Sequence, residues 1–243
     1  MEVLVFEGKI RIISHETGGN IQKNAYLMEY LSNISFISEL TNIAQRGTPL
    51  LEIGKGFPKV MITAGIHGNE LPPQIASVWL INELSKVKTK GTIYIIPFAV
   101  PHATMENSRR FKGMDMNRTA SKGGFISNNI IKTIKDLNIS AVADFHSTKP
   151  GSNPGVESVF CSKNPCYKSF LMAEYITGLT SSKIISHDVA GKMYIGALED
   201  ECNLAGIPAI TCEVVSKNGL VDVKSPERSY LQMKSYLNYF NII

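Results

Sequence analysis

Apolar positions in this chain switch repeatedly between a strand period and a helix period. Residues 59–64 form a short apolar run stopped by Gly65, the form of a buried strand. Over residues 70–86 the spacing lengthens. Ile75, Val78, Trp79 and Leu84 recur at helical intervals, behind Pro72 and Pro73 in a first turn that tolerates proline. The alternation continues downstream: strand 92–97, helix 125–137, strand 139–145, apolar run 156–161, helix 169–178, short strand 183–186, helix 198–205 and strand 208–215. An amphipathic helix over 226–240 closes the chain. Upstream, residues 2–13 read as one or two short strands and 21–31 and 38–45 as short helices. Gly47-Thr48-Pro49 is a stop signal, and 50–53 is a further strand. Strands alternating with helices predict an α/β domain whose central sheet is covered on both faces. Such sheets place their sites at the carboxyl ends of strands.

Composition narrows the class. At 243 residues the chain fits one large domain, expected to run over 1–243. No apolar run approaches the roughly 20 residues of a membrane span. Residues 1–11 contain Glu2 and Glu7 and lack a basic segment leading into an apolar core, so a cytoplasmic location is expected. A net charge of +4 without a dense Lys/Arg block or interleaved aromatics argues against a nucleic-acid partner. Cys161, Cys166, Cys202 and Cys212 match no zinc-ribbon spacing and read as reduced, partly buried thiols.

Chemistry is concentrated at the predicted strand ends. His67-Gly68-Asn69-Glu70 follows the 59–64 strand, with glycines at 65 and 68 leaving the backbone room to bend. Imidazole and carboxylate are good zinc ligands, and three protein ligands leave a fourth position for water. His146 ends the 139–145 strand and can supply the third; read alone, it is equally a satisfied core or surface histidine. Asp144 lies two residues earlier on the same side and can orient that imidazole or simply end a strand. Glu213 stands in an apolar strand, where burying a carboxylate is costly without a task such as general base. A salt bridge at the strand end is the plainer account. Arg109-Arg110 and Gly113-Met-Asp-Met-Asn117-Arg118 form a polar, glycine-interrupted stretch. Its guanidinium groups can bind a carboxylate or an oxyanion, or be no more than a solvated basic loop.

Taken in order, His-x-x-Glu, Asp-x-Asn-Arg, His and Glu resemble the zinc carboxypeptidase family and its relatives, the succinylglutamate desuccinylases and aspartoacylases. The resemblance covers about residues 59–217. It implies a three-layer α/β/α fold with a mixed, mostly parallel sheet, in which 59–217 is the catalytic core; the first 50 residues are expected to pack on that core as an N-terminal extension. It implies one zinc ion held by His67, Glu70 and His146. Asn117 and Arg118 would grip the substrate's carboxylate. An upstream arginine would polarise the scissile carbonyl, Arg109 by preference, with Arg110 kept as a substrate-binding candidate. Glu213 would be the base, and Tyr194 would close over the substrate. The implied reaction is hydrolysis of an amide next to a carboxylate, in a small peptide or an N-acyl amino acid. Carboxypeptidase-type cleavage is expected ahead of deacylation, with a non-catalytic binding protein as the third reading.

Some features depart from the pattern. The deacylase branch usually carries a β-rich domain after the catalytic glutamate, whereas residues 214–243 suffice for a loop and one helix. The His-Gly-Asn-Glu wording and the short distance from Glu70 to His146 look closer to the deacylases. The first 50 residues match neither branch, and no inhibitory pro-segment is evident. Glu199 and Asp200 could face the pocket and favour a basic substrate group, but are expected to decorate their helix. His15, His102 and His187 are expected on surfaces or loops.

Overall fold

A computed structural model describes residues 8–243. Eight strands form one mixed sheet: β1 (Lys9–Ser14), β2 (Thr48–Lys55), β3 (Lys59–Ala64), β4 (Gly91–Ile96), β5 (Ala141–Thr148), β6 (Ser158–Asn164), β7 (Lys183–Val189) and β8 (Ala209–Val215). Their spatial order is β1-β2-β4-β3-β5-β8-β6-β7. The pairs β4–β3, β3–β5, β5–β8 and β6–β7 are parallel; β1–β2, β2–β4 and β8–β6 are antiparallel. Residues 9–55 therefore build one edge of the sheet through β1 and β2 as well as packing helices on it. The part of the 2–13 expectation before residue 8 lies outside the described residues. Among the described residues no helix is long and apolar enough to cross a membrane.

Strand alternation divides the sheet's side chains between two apolar layers. On one face Val60, Ile62, Ala143, Phe145, Ile210 and Cys212 pack under α1 (Ala25–Leu31), α2 (Ile37–Arg46), α3 (Leu71–Leu84), α6 (Tyr167–Leu179) and α8 (Ser225–Tyr239). On the other, Met61, Tyr94, Val142 and Ala209 pack under α4 (Pro101–Met105), α5 (Ile126–Asp136) and α7 (Leu198–Leu204). The 14-residue α3 is buried along most of its length, consistent with its nearly all-round apolar surface. All four cysteines are free and buried.

After β3 the chain crosses to β4 on one side, while β5 and β8 pair on the other. This reversal opens a crevice beyond the carboxyl ends of β3, β5 and β8. There the second face is left without helical cover, and residues 65–70, 106–118 and 147–154 approach. The strand predicted at 139–145 continues to Thr148, so His146 lies within β5 rather than at its end. Its register partner is Glu213 on β8.

Candidate metal centre

The turn after β3 delivers His67 and Glu70. Gly65 takes a φ of +77°, which glycine adopts without strain. A Cβ at Gly68 would meet the carbonyl carbon of Ala103 at 2.0 Å, so only glycine lets this turn pack against α4. Glu70 directly precedes α3, whose early prolines fix the chain's exit.

His67, Glu70 and His146 are all nearly inaccessible, at 2%, 3% and 2% exposure. One ligand atom from each lies within 4.8 Å of the others. Ligands at about 2.0–2.2 Å from a common zinc are themselves separated by roughly 3–4 Å, so small side-chain shifts suffice to enclose one. Nδ1 of His67 lies 2.8 Å from Glu70 Oε1, and Nδ1 of His146 lies 2.8 Å from Glu70 Oε2. The far nitrogens are held by a second pair of carboxylates: His67 Nε2 to Asp115 Oδ1 and His146 Nε2 to Asp144 Oδ2, both at 2.8 Å. A carboxylate only accepts, so in this arrangement both nitrogens of each ring donate, Nε2 to the outer carboxylate and Nδ1 to Glu70; a metal ion would take the place of the Nδ1 protons while the outer carboxylates keep each Nε2 protonated. Asp144 in turn accepts from Thr63, its register partner on β3. Two imidazoles and a carboxylate, each imidazole backed by an outer carboxylate, fit a zinc ion.

The electrostatics show how strongly this cluster is prepared for positive charge. Burial opposes the charged form of every member. For His146, Asp144 and Glu70 outweigh it and hold the pKa well above the ordinary imidazole range. His67 is raised likewise by Glu70 and Asp115 against its burial. Glu70 is held far below the carboxylate range because His67 and His146 overcome its desolvation.

Glu213 projects from β8 into the same crevice. Burial and then the charge of Glu70 push its pKa up to about 8. Its Oε2 has no hydrogen-bond partner, and among the described residues no Lys, Arg or His forms the salt bridge considered from sequence. Arg109 reaches in from the 106–118 segment, donating from Nη1 to Glu70 Oε1 at 2.8 Å and lying 3.4 Å from Asp115 Oδ2. Asn117 and Arg118 line the same cavity of about 370 Å³, together with Tyr194. Asn117 Oδ1 accepts from the backbone N–H of Leu198, which leaves its amide nitrogen for a ligand. The guanidinium of Arg118 lies 5.7 Å from the Tyr194 ring centroid, a cation–π distance.

One expectation needs correction and one residue was overlooked. Arg110 does not line this cavity: its Nη1 turns back to the carbonyl of Gly113 at 3.0 Å, because consecutive side chains leave the loop in different directions. His187, expected on a surface or loop, lies partly exposed on the edge strand β7 with its ring 5.5 Å from that of Tyr194. Asp115 was passed over although it stands in the Asp-x-Asn-Arg motif. Besides holding His67, it accepts from the backbone N–H of Asn117 and so shapes the turn that presents the Asn-Arg pair. The motif spacing was the available signal.

Residues 56–217 match the family described as the succinylglutamate desuccinylase/aspartoacylase catalytic domain. The chain belongs to this family. No curated protein matches at a significant level. Among solved structures, a succinylglutamate desuccinylase from Silicibacter sp. TM1040 is 17% identical with a TM-score of 0.65, over 82% of this chain and 63% of that one. An aspartoacylase family protein from Mesorhizobium loti is 21% identical with a TM-score of 0.59, over 81% and 62%. A metallo-carboxypeptidase from Burkholderia cenocepacia, 13% identical, reaches a TM-score of 0.65 over 97% of this chain and 66% of that one. At these identities the likeness establishes the fold that the family member adopts. The chain spans about three fifths of the length of the first solved structures it matches.

Proposed function

We propose that the protein is a zinc-dependent hydrolase of an amide bond whose nitrogen belongs to a carboxylate-bearing amino acid. The observation that carries this reading is the convergence of His67, Glu70 and His146 beside Glu213, whose buried Oε2 is unpartnered. Zinc bound there supplies a Lewis acid that acidifies water and polarises a carbonyl. Glu213, lining the crevice beside the three metal ligands, takes the proton from the attacking water and returns it to the leaving nitrogen. Arg109 donates to the carbonyl oxygen as negative charge develops on it. Asn117 and Arg118 hold the substrate carboxylate, and Tyr194 covers the bound substrate from the 190–196 loop.

Two acyl partners suit this arrangement. Peptide cleavage at a C-terminal residue is the leading form, and family membership supports N-acyl amino acid deacylation as the other. Purified protein, zinc-loaded or chelated, is to be assayed against peptides with free C-termini and against N-acyl amino acids. Zinc-dependent release of the terminal amino acid from peptides is the expected result. Release from N-acyl amino acids alone would replace the first form with the second, and turnover of neither by protein shown to contain zinc would reject the proposal.

A further inference from the structure

The cavity holds one acidic group that the proposed chemistry leaves unused. Glu199, in the first turn of α7, lines the wall and is only 4% exposed. Its neighbours have other duties: Asp200 Oδ1 accepts from the N–H of Gly191 at 2.7 Å and Glu201 Oε1 from that of Gly196 at 3.2 Å, both bracing the loop that carries Tyr194. Glu199 accepts from Asn203 Nδ2 at 2.6 Å and from Ser162, both neutral donors. Among the described residues no Lys, Arg or His forms an ion pair with it, unlike Glu70, Asp115 and Asp144. The cavity's arginines and lysine stand elsewhere, on the exposed rim at Arg109, Arg118 and Lys149, and its two histidines are paired with Glu70, Asp115 and Asp144. Phe160, Ala197 and Thr211 complete the wall beside Glu199 without contributing charge.

A buried carboxylate without a countercharge is costly, and a ligand cation is the group that relieves the cost. Burial, followed by the charge of Asp200, pushes the pKa of Glu199 up to about 8, and a cation alongside would lower it again. The cavity thus offers positive groups at the rim for a carboxylate and, in the wall, an acidic group that a bound cation would hold ionised.

We propose that Glu199 selects the substrate's side chain, accepting the ammonium or guanidinium of a basic amino acid whose carboxylate is held by Asn117 and Arg118. This rests on the proposed function of the same site, which leaves the side chain unspecified.

Binding of the free product amino acid tests the proposal without turnover. Calorimetry on zinc-loaded protein should compare L-lysine, L-ornithine and L-arginine with L-norleucine and L-glutamate. The best basic ligand should bind about tenfold or more tightly than norleucine, the scale of a hydrogen bond to a charged group, and glutamate should bind worst. In Glu199→Gln the preference for the basic ligand over norleucine should fall by about tenfold. Equal binding of basic and neutral ligands, preference for glutamate, or no binding of any basic ligand by about 10 mM would overturn the proposal. An unchanged preference in the folded variant would do the same. Should the variant fail to fold, the wild-type comparison still decides. Lysine selectivity in a protein that hydrolyses neither substrate class would remove the proposed reaction and leave the pocket assignment standing.

Discussion

Alternate residues of a single strand serve opposite purposes in this molecule. On β5, Ala143 and Phe145 belong to the apolar cluster covered by α3 and α8. Asp144 and His146 point the other way and are equally inaccessible; they make a charged hydrogen bond to one another, and His146 makes a second to Glu70. The difference lies in the cover. Helices close the first face from end to end, whereas α5 and α7 cover only part of the second and leave the strand ends to polar loops. Burial therefore means packing on one side and electrostatic preparation on the other.

The largest test of this division is Glu213→Gln. Hydrolysis should fall by about 10²–10⁴-fold, the usual contribution of a general base, while metal analysis still finds zinc, because the residue supplies no ligand atom. Phe145→Ala probes the opposite face and should destabilise by about 3–5 kcal/mol in denaturant unfolding, with the zinc content of the remaining folded protein unchanged. If Phe145→Ala abolished zinc binding in fully folded protein, the two faces would not be separable as described. Asp115→Asn should weaken zinc affinity by about 10–100-fold in competition with a chelator, by removing the carboxylate that fixes the orientation of His67. Arg110→Ala should change stability by no more than about 0.5 kcal/mol and leave hydrolysis near wild type. A loss comparable to that of Arg109→Ala would return Arg110 to the site.

Most element positions were legible because they depend on local period. The helix expected at 125–137 is found at Ile126–Asp136, and the strand expected at 208–215 at Ala209–Val215. The short helix Pro101–Met105 was not, since five residues establish no period. The extension of β5 through His146 was also hidden. The polar residues His146, Ser147 and Thr148 read as a strand ending, yet pairing with β8 carries the strand onward. Asp115 was missed because its partner is 48 positions away, and the choice between Arg109 and Arg110 depended on loop geometry that sequence spacing does not contain.

By itself, the sequence determined the alternation of strands and helices and the order of the motifs from His67 to Glu213, because both are local patterns of residue type. Tertiary structure alone decided which groups meet. It placed Glu213 opposite His146, backed the two imidazoles with Asp115 and Asp144, turned Arg110 away, and set Glu199 in the cavity wall. The reason is that strand register and loop packing fix distances between residues far apart in the chain, and the chemistry of a site depends on those distances rather than on spacing along the chain.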